Sequence, residues 1–278
     1  MLSGQVAVVT GGGRGLGRAF AIGLAAAGAS VAVISRSGEQ LSETVRMISA
    51  AGGHAADFVA DVSDPLIVDN LAPEIESRLG RVDLLINNAG IGTPFGPVSE
   101  CDPEEWWRSL EINLRSPLLC SRAFLPRMIA RGRGRIINVA SGAGIMSIPY
   151  MSSYIVAKAA LIRLSEIIAA ETRDQNISVF AIEPGTVRTA MAQSALESEA
   201  GRKWLPWFGK LFEAGRDVPP NHAVRLVLRL ASGEADALSG RFITISDDVD
   251  SMLEQVPEIK SRDLYTLRLR TEGENRSR

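Results

Sequence analysis

The chain has 278 residues, 46 % hydrophobic and 22 % charged, with a formal net charge of −2. That length can bury one sizeable core, and the near-neutral charge excludes a general nucleic-acid binder. Two Cys (Cys101, Cys120) and two His (His54, His222) are too few and too scattered for a disulfide framework or a Cys/His zinc site, so no metal is expected. No apolar run reaches the roughly 18 residues of a membrane span. The N-terminus runs straight into an apolar stretch, so no signal peptide is expected and the chain reads as a cytoplasmic α/β protein.

Short apolar runs rich in β-branched residues alternate with helical stretches. Strands are predicted at 6–9, 31–34, 55–59, 82–86, 136–139, 177–182 and 242–245, the run at 55–59 being the weakest. Helices are predicted at 16–27, 39–51, 65–78, 103–131, 153–173 and 220–231. Continuous apolar strands suit a parallel sheet buried on both faces. Strand-helix-strand alternation requires right-handed crossovers, and so a doubly wound sheet of about seven strands in a single domain. Two stretches break the alternation. Residues 191–215 gather Trp204, Pro206, Trp207 and Phe208, and the tail 246–278 is charged and partly helical in pattern.

The run Thr10-Gly11-Gly12-Gly13-Arg14-Gly15-Leu16-Gly17 follows the first strand and opens the first helix. Glycines there let a backbone approach a pyrophosphate, and the helix N-terminus offers free N–H groups and the positive end of its dipole. Gly-x-Gly-x-x-Gly does not fit this run, and no Gly-Lys-Ser/Thr follows it, which excludes a P-loop. Thr-Gly-x-x-x-Gly-x-Gly fits, at Thr10, Gly11, Gly15 and Gly17.

That spacing resembles the classical short-chain dehydrogenase/reductase family, whose Rossmann-type sheet the strand pattern matches. Further motifs follow collinearly to about residue 245. They are Asn87-Asn88-Ala89-Gly90 after the fourth strand, Asn113 in Glu-Ile-Asn-Leu, Ser141 at the end of the fifth strand, Tyr154-x-x-x-Lys158, and Pro184-Gly185 with Thr189. Tyr154 lies thirteen residues after Ser141, as in the family. The resemblance implies catalytic roles for Asn113, Ser141, Tyr154 and Lys158. It implies cofactor contacts at Gly11, Gly13, Arg14, Gly15, Leu16, Gly17, Ser35, Arg36, Ser37, Asp61, Val62, Asn88, Ala89, Gly90, Tyr154, Lys158, Pro184, Gly185, Val187 and Thr189. Asn113 is expected to hold a water that links Lys158 to solvent.

The chemistry is consistent with those roles. Tyr154 and Lys158 are four apart on one helix face. A free Tyr titrates near about 10 and must be tuned to act near pH 7. A nearby ammonium lowers a phenol, and a three-unit shift needs roughly 4 kcal/mol. Ser141 can donate to a carbonyl oxygen while Tyr154 protonates it. Gly-x-Ser-x-Gly is absent around Ser141, which disfavours a serine hydrolase.

At the end of the second strand the acidic residue common in NAD-dependent members is replaced by Ser35, with Arg36 next. Arg36 and Arg14 are positioned for a 2′-phosphate, so NADP(H) is expected over NAD(H), which stays possible. Asp61 either contacts adenine, as the resemblance implies, or caps the following helix, a role for which Asp64 is better placed. The insert 191–215 is either a mobile lid over an apolar ketone or alcohol or a packed surface helix pair. The departure from the family's Val-Asp-Gly-Gly after the last strand weakens any transfer of oxoacyl-carrier-protein reductase activity. The tail either packs on the body or reaches a partner subunit.

A homodimer or homotetramer through helices 103–131 and 153–173 is implied, with Leu161, Leu164 and Ile168 on one side. The expected activity is hydride transfer between NADP(H) and a ketone or secondary alcohol. The alternatives are an NAD-dependent alcohol or steroid-type dehydrogenase, or a non-catalytic dinucleotide-binding regulator.

Overall fold

A computed structural model describes residues 2–269. Seven strands form one parallel sheet: β1 (Val6–Thr10), β2 (Ser30–Ser35), β3 (His54–Val59), β4 (Val82–Asn87), β5 (Gly134–Val139), β6 (Ile177–Glu183) and β7 (Phe242–Thr244). Their order is β3-β2-β1-β4-β5-β6-β7. The order reverses between β1 and β4, which opens a crevice at the carboxyl ends of those two strands.

Alternate residues of the central strands feed two cores. Ala7, Val9, Val31 and Val33 face one core, built with α1 (Gly15–Ala26), α2 (Gly38–Ala50) and α10 (Asn221–Ala231). Val6, Val8, Ala32 and Ile34 face the other, built with α3 (Pro65–Leu79), α5 (Ser116–Arg131) and α6 (Ser152–Glu171). This two-sided burial is why the strand sequences show no polar alternation.

The helix expected at 103–131 is not one regular helix. α4 (Pro103–Leu110) passes through a π-helical turn at Glu111–Arg115 into α5. The Ser116 N–H bonds back five residues to the Glu111 carbonyl. Pro117 explains the break: it has no N–H for the Asn113 carbonyl, four residues earlier, and its ring crowds that carbonyl.

The insert folds as α7 (Ala190–Glu197), α8 (Glu199–Trp204) and α9 (Pro206–Glu213). Leu205 and Phe212 are buried beneath it. Trp204 packs on Tyr150, with ring centroids 4.8 Å apart.

The tail adds α11 (Val249–Glu254) and α12 (Val256–Ser261), which place Val249, Met252 and Ile259 in the first core. Beyond them the chain runs along the body. The Tyr265 carbonyl accepts from Phe242 N–H, and Arg268 pairs with Glu166 of α6 at 2.6 Å. Of the two readings of the tail, packing on the body describes residues 246–269; residues 270–278 lie outside the described ones. No helix among the described residues is long and apolar enough to cross a membrane.

Candidate active site

The glycine loop and the end of β4 form one unit. Thr10 Oγ1 accepts from the N–H groups of Asn88 and Ala89 at 2.9 and 3.0 Å, and Asn88 Nδ2 donates to the Thr10 carbonyl at 2.9 Å. A Cβ on Gly17 would stand 2.2 Å from the Gly11 carbonyl oxygen, so only glycine lets the helix start this close under the loop. Arg14 is the N-cap of α1, in extended backbone, and makes no side-chain cap. The first-turn N–H groups of α1 therefore keep their capacity for a phosphate. Gly15 faces the Thr189 side chain, and Leu16 packs on the first core. Thr189 itself caps α7 through Ala192 N–H. Pro184, Gly185 and Val187 form the turn between β6 and that cap, with Val187 buried.

Gly13 is buried against α2, and its carbonyl is clasped by a residue the sequence reading did not single out. Arg18 donates to it from Nε at 3.0 Å and from Nη2 at 2.5 Å. The same guanidinium reaches Thr44 Oγ1 and the Gln40 carbonyl of α2. The available signal was a basic residue immediately after Gly17, on a helix that must pack against α2.

At the end of β2, Ser37 caps α2, and Ser35 Oγ accepts from Ser37 N–H. Arg36 extends outward and lies 3.9 Å from Asp61. Asp61 does not cap α3: Asp64 does, accepting from Leu66 and Ile67 N–H. Burial raises the Asp61 carboxyl. Hydrogen bonds from Ser63 and the charges of Arg36 and Arg108 outweigh it, so the group sits below its ordinary value. Val62 beside it is buried in the second core. Arg36 and Arg108 also line a cleft of ≈ 530 Å³ with Ile91, Phe95, Ile112 and Ser198. Arg108 was not foreseen, because nothing local links α4 to the end of β2. Arg14 is exposed and joins no ion pair among the described residues.

The four expected catalytic residues converge at the carboxyl ends of β4 and β5. Ser141 follows β5, and its Oγ accepts from Ala143 N–H at 3.1 Å, which leaves its own proton to give. Lys158 is buried, and its Nζ donates to the Val139 carbonyl at 2.8 Å. That nitrogen stands 5.6 Å from the centre of the Tyr154 ring. A Cβ on Gly90 would meet Asn113 Oδ1 at 2.8 Å and Lys158 Nζ at 3.8 Å, so these three residues adjoin. The Asn113 side chain is spent on anchoring: it accepts from Ile91 N–H and donates to the Ile91 and Ser109 carbonyls.

The tuning of Tyr154 differs from the expectation. Burial raises the phenol, the adjacent Ser141 hydroxyl lowers it, and the charge of Glu183 raises it again. The net shift is upward. Lys158 is itself pulled down to about 8 by burial. Lowering Tyr154 therefore needs positive charge beyond what the chain alone brings to the phenol.

The model of the family described as short chain dehydrogenase matches residues 5–200. A short chain dehydrogenase of Monascus ruber is 33 % identical over 270 residues, covering 94 % of this chain and 85 % of that protein. The 2,5-dichloro-2,5-cyclohexadiene-1,4-diol dehydrogenase of Sphingobium indicum is 35 % identical over 240 residues, covering 86 % and 94 %. A solved structure from Beutenbergia cavernae, described as an NAD(P)-dependent gluconate 5-dehydrogenase with bound NADP, is 33 % identical. It covers 91 % of this chain and 98 % of that one, with a TM-score of 0.79. The parallel sheet, the glycine loop and these matches over most of the sequence have one meaning: this chain is an oxidoreductase that belongs to the short-chain dehydrogenase family.

Proposed function

We propose that the chain is a cytoplasmic enzyme that moves a hydride between NADP(H) and a ketone or secondary alcohol. The observation that carries this reading is the convergence of Ser141, Tyr154 and buried Lys158 beside the glycine-loop crevice. The nicotinamide, when bound, supplies or takes the hydride. Ser141 Oγ–H orients the substrate oxygen. Tyr154 gives that oxygen a proton in reduction and takes one in oxidation. Lys158 uses one of its three protons on Val139, so two remain for a ribose and for the proton path. The Asn113 side chain is already occupied, so its carbonyl, denied a helical donor by Pro117, is the group that holds the relay water.

The chain's own residues fit a dinucleotide. The loop carries a cradle that a Cβ would fill at Gly17, and α1 has no side-chain cap. NADP(H) is favoured because Arg36, not an acid, stands at the β2 end, facing Asp61 across the cleft. A diol dehydrogenase among the relatives supports an alcohol/ketone pair as substrate. The insert, seated on Tyr150, supports an apolar wall for that substrate, with its own short helices as the cover. The same reading has the chain assemble as a homodimer or homotetramer through α5 and α6.

The test is the loss of reduced-nicotinamide absorbance with NADPH and with NADH across a panel of cyclic, aromatic and open-chain ketones. Turnover with NADPH at higher kcat/KM is expected. Equal use of both cofactors would remove the NADP(H) assignment.

A further inference from the structure

Glu183 enters the site from β6, and no motif announces it. It is the last residue of that strand, registered with Thr244 of β7, while the neighbouring strand on the other side is β5, which leads into Ser141. A Cβ on Gly142 would lie 2.8 Å from Glu183 Oε1 and 3.4 Å from Oε2. The carboxylate therefore lies against the backbone immediately after Ser141, and the glycine at 142 leaves it that space. Its charge reaches the Tyr154 phenol.

Among the described residues the carboxylate has no hydrogen-bond or ion-pair partner. Burial, and then the nearby Asp247, raise it, and no hydrogen bond or cation lowers it. Asp247 is committed elsewhere, accepting from Thr244 N–H at 2.7 Å. The carboxylate is half-buried and stands beside the reacting groups, where it can accept a hydrogen bond from a bound molecule.

We propose that Glu183 is a specificity-determining residue whose carboxylate accepts a hydrogen bond from a hydroxyl group of the substrate, next to the carbonyl held by Ser141 and Tyr154. The substrate class is then a hydroxy ketone in one direction and a diol in the other. The proposal rests on the reading of Ser141 and Tyr154 as the reacting centre.

The experiment compares matched substrates with NADPH: 2-hydroxycyclohexanone against cyclohexanone, and 3-hydroxy-2-butanone against 2-butanone. The quantity read is the ratio of kcat/KM within each pair for wild type, Glu183→Ala and Glu183→Gln. Wild type prefers the hydroxy ketone. Glu183→Ala lowers the preference about 10- to 100-fold, the worth of a hydrogen bond to a charged group. Glu183→Gln keeps an acceptor and retains part of it.

A second readout is the pH profile. Tyr154 is faced by Ser141 after β5, by Lys158 on its own helix and by Glu183 from β6, with Asp247 behind Glu183. Removing the Glu183 charge stabilises the phenolate relative to the phenol, so the Tyr154 inflection moves to lower pH in Glu183→Gln.

A ratio that Glu183→Ala leaves unchanged overturns the proposal even if both rates fall, since a purely structural role depresses both alike. Equal use of both members by wild type overturns it too. NADPH binding without turnover of any member overturns the reading of the reacting centre, and the proposal with it.

Discussion

At the residue scale, two side chains separate cofactor choice from catalysis. Arg36 is exposed and reaches Asp61 only at 3.9 Å, so the guanidinium is available to a 2′-phosphate. Arg36→Ala should weaken NADPH binding about 10- to 100-fold and leave NADH binding nearly unchanged, measured by fluorescence titration. Lys158 carries a cost to stability. Its folded-state value of about 8 lies below the ordinary 10.5, so the folded chain holds this proton less tightly than the unfolded chain. Below pH 8 the buried ammonium costs on the order of 3 kcal/mol, and the cost is relieved as pH rises from 8 towards 10.5. Part of any gain from removing it is lost with the hydrogen bond to Val139. Lys158→Met should therefore abolish turnover yet raise Tm at pH 7 by about 4–8 °C, with the gap closing near pH 10. A Tm that falls at pH 7 would contradict this account of the site.

At the element scale, the glycine loop is held from behind. Arg18 ties the Gly13 carbonyl to Thr44 and Gln40 of α2 through one half-buried guanidinium. Arg18→Ala should cost about 1–3 kcal/mol in urea unfolding. It should weaken NADPH and NADH binding by similar factors, because both share the pyrophosphate. That pattern distinguishes it from Arg36→Ala.

The elements also show what sequence can disclose. The strands were legible because each is a short, largely apolar run, and their ends moved by one or two residues at most; β3, an edge strand with Asp57 inside it and Val59 exposed, was the weakest for that reason. The π-helical turn was not read, because hydrophobic periodicity passes through it; Pro117 was its only local sign. Asp64 as the α3 cap was legible from Asp-Pro spacing alone. Arg18, Arg108 and Glu183 were not, since each acts on an element distant in sequence. The raised phenol of Tyr154 was missed for the same reason: burial and the Glu183 charge are both tertiary.

At the scale of the whole molecule, the reversal of strand order sets the crevice, the insert packs on Tyr150, and the tail packs against β7 and α6. Leu161 and Ile168, expected at a subunit contact, are buried in the chain itself, and Leu161 is fully so. The large apolar residues that α5 and α6 leave exposed are Leu118, Val156 and Ile167, each at 45 % exposure. The proposed self-association is therefore assigned to these three and not to the buried pair. Sedimentation equilibrium at micromolar concentration should show a dimer or tetramer, and Leu118→Glu with Ile167→Glu should shift it towards monomer. A wild-type monomer would contradict the assembly.

In the proposed reaction Tyr154 moves the proton while the crevice holds NADP(H). The most direct test is NADPH oxidation by wild type and Tyr154→Phe on the same ketone, with NADPH binding measured on both. The expected result is retained binding and a loss of turnover of about 10²–10⁴-fold. A phenylalanine variant that turns over near the wild-type rate would contradict it.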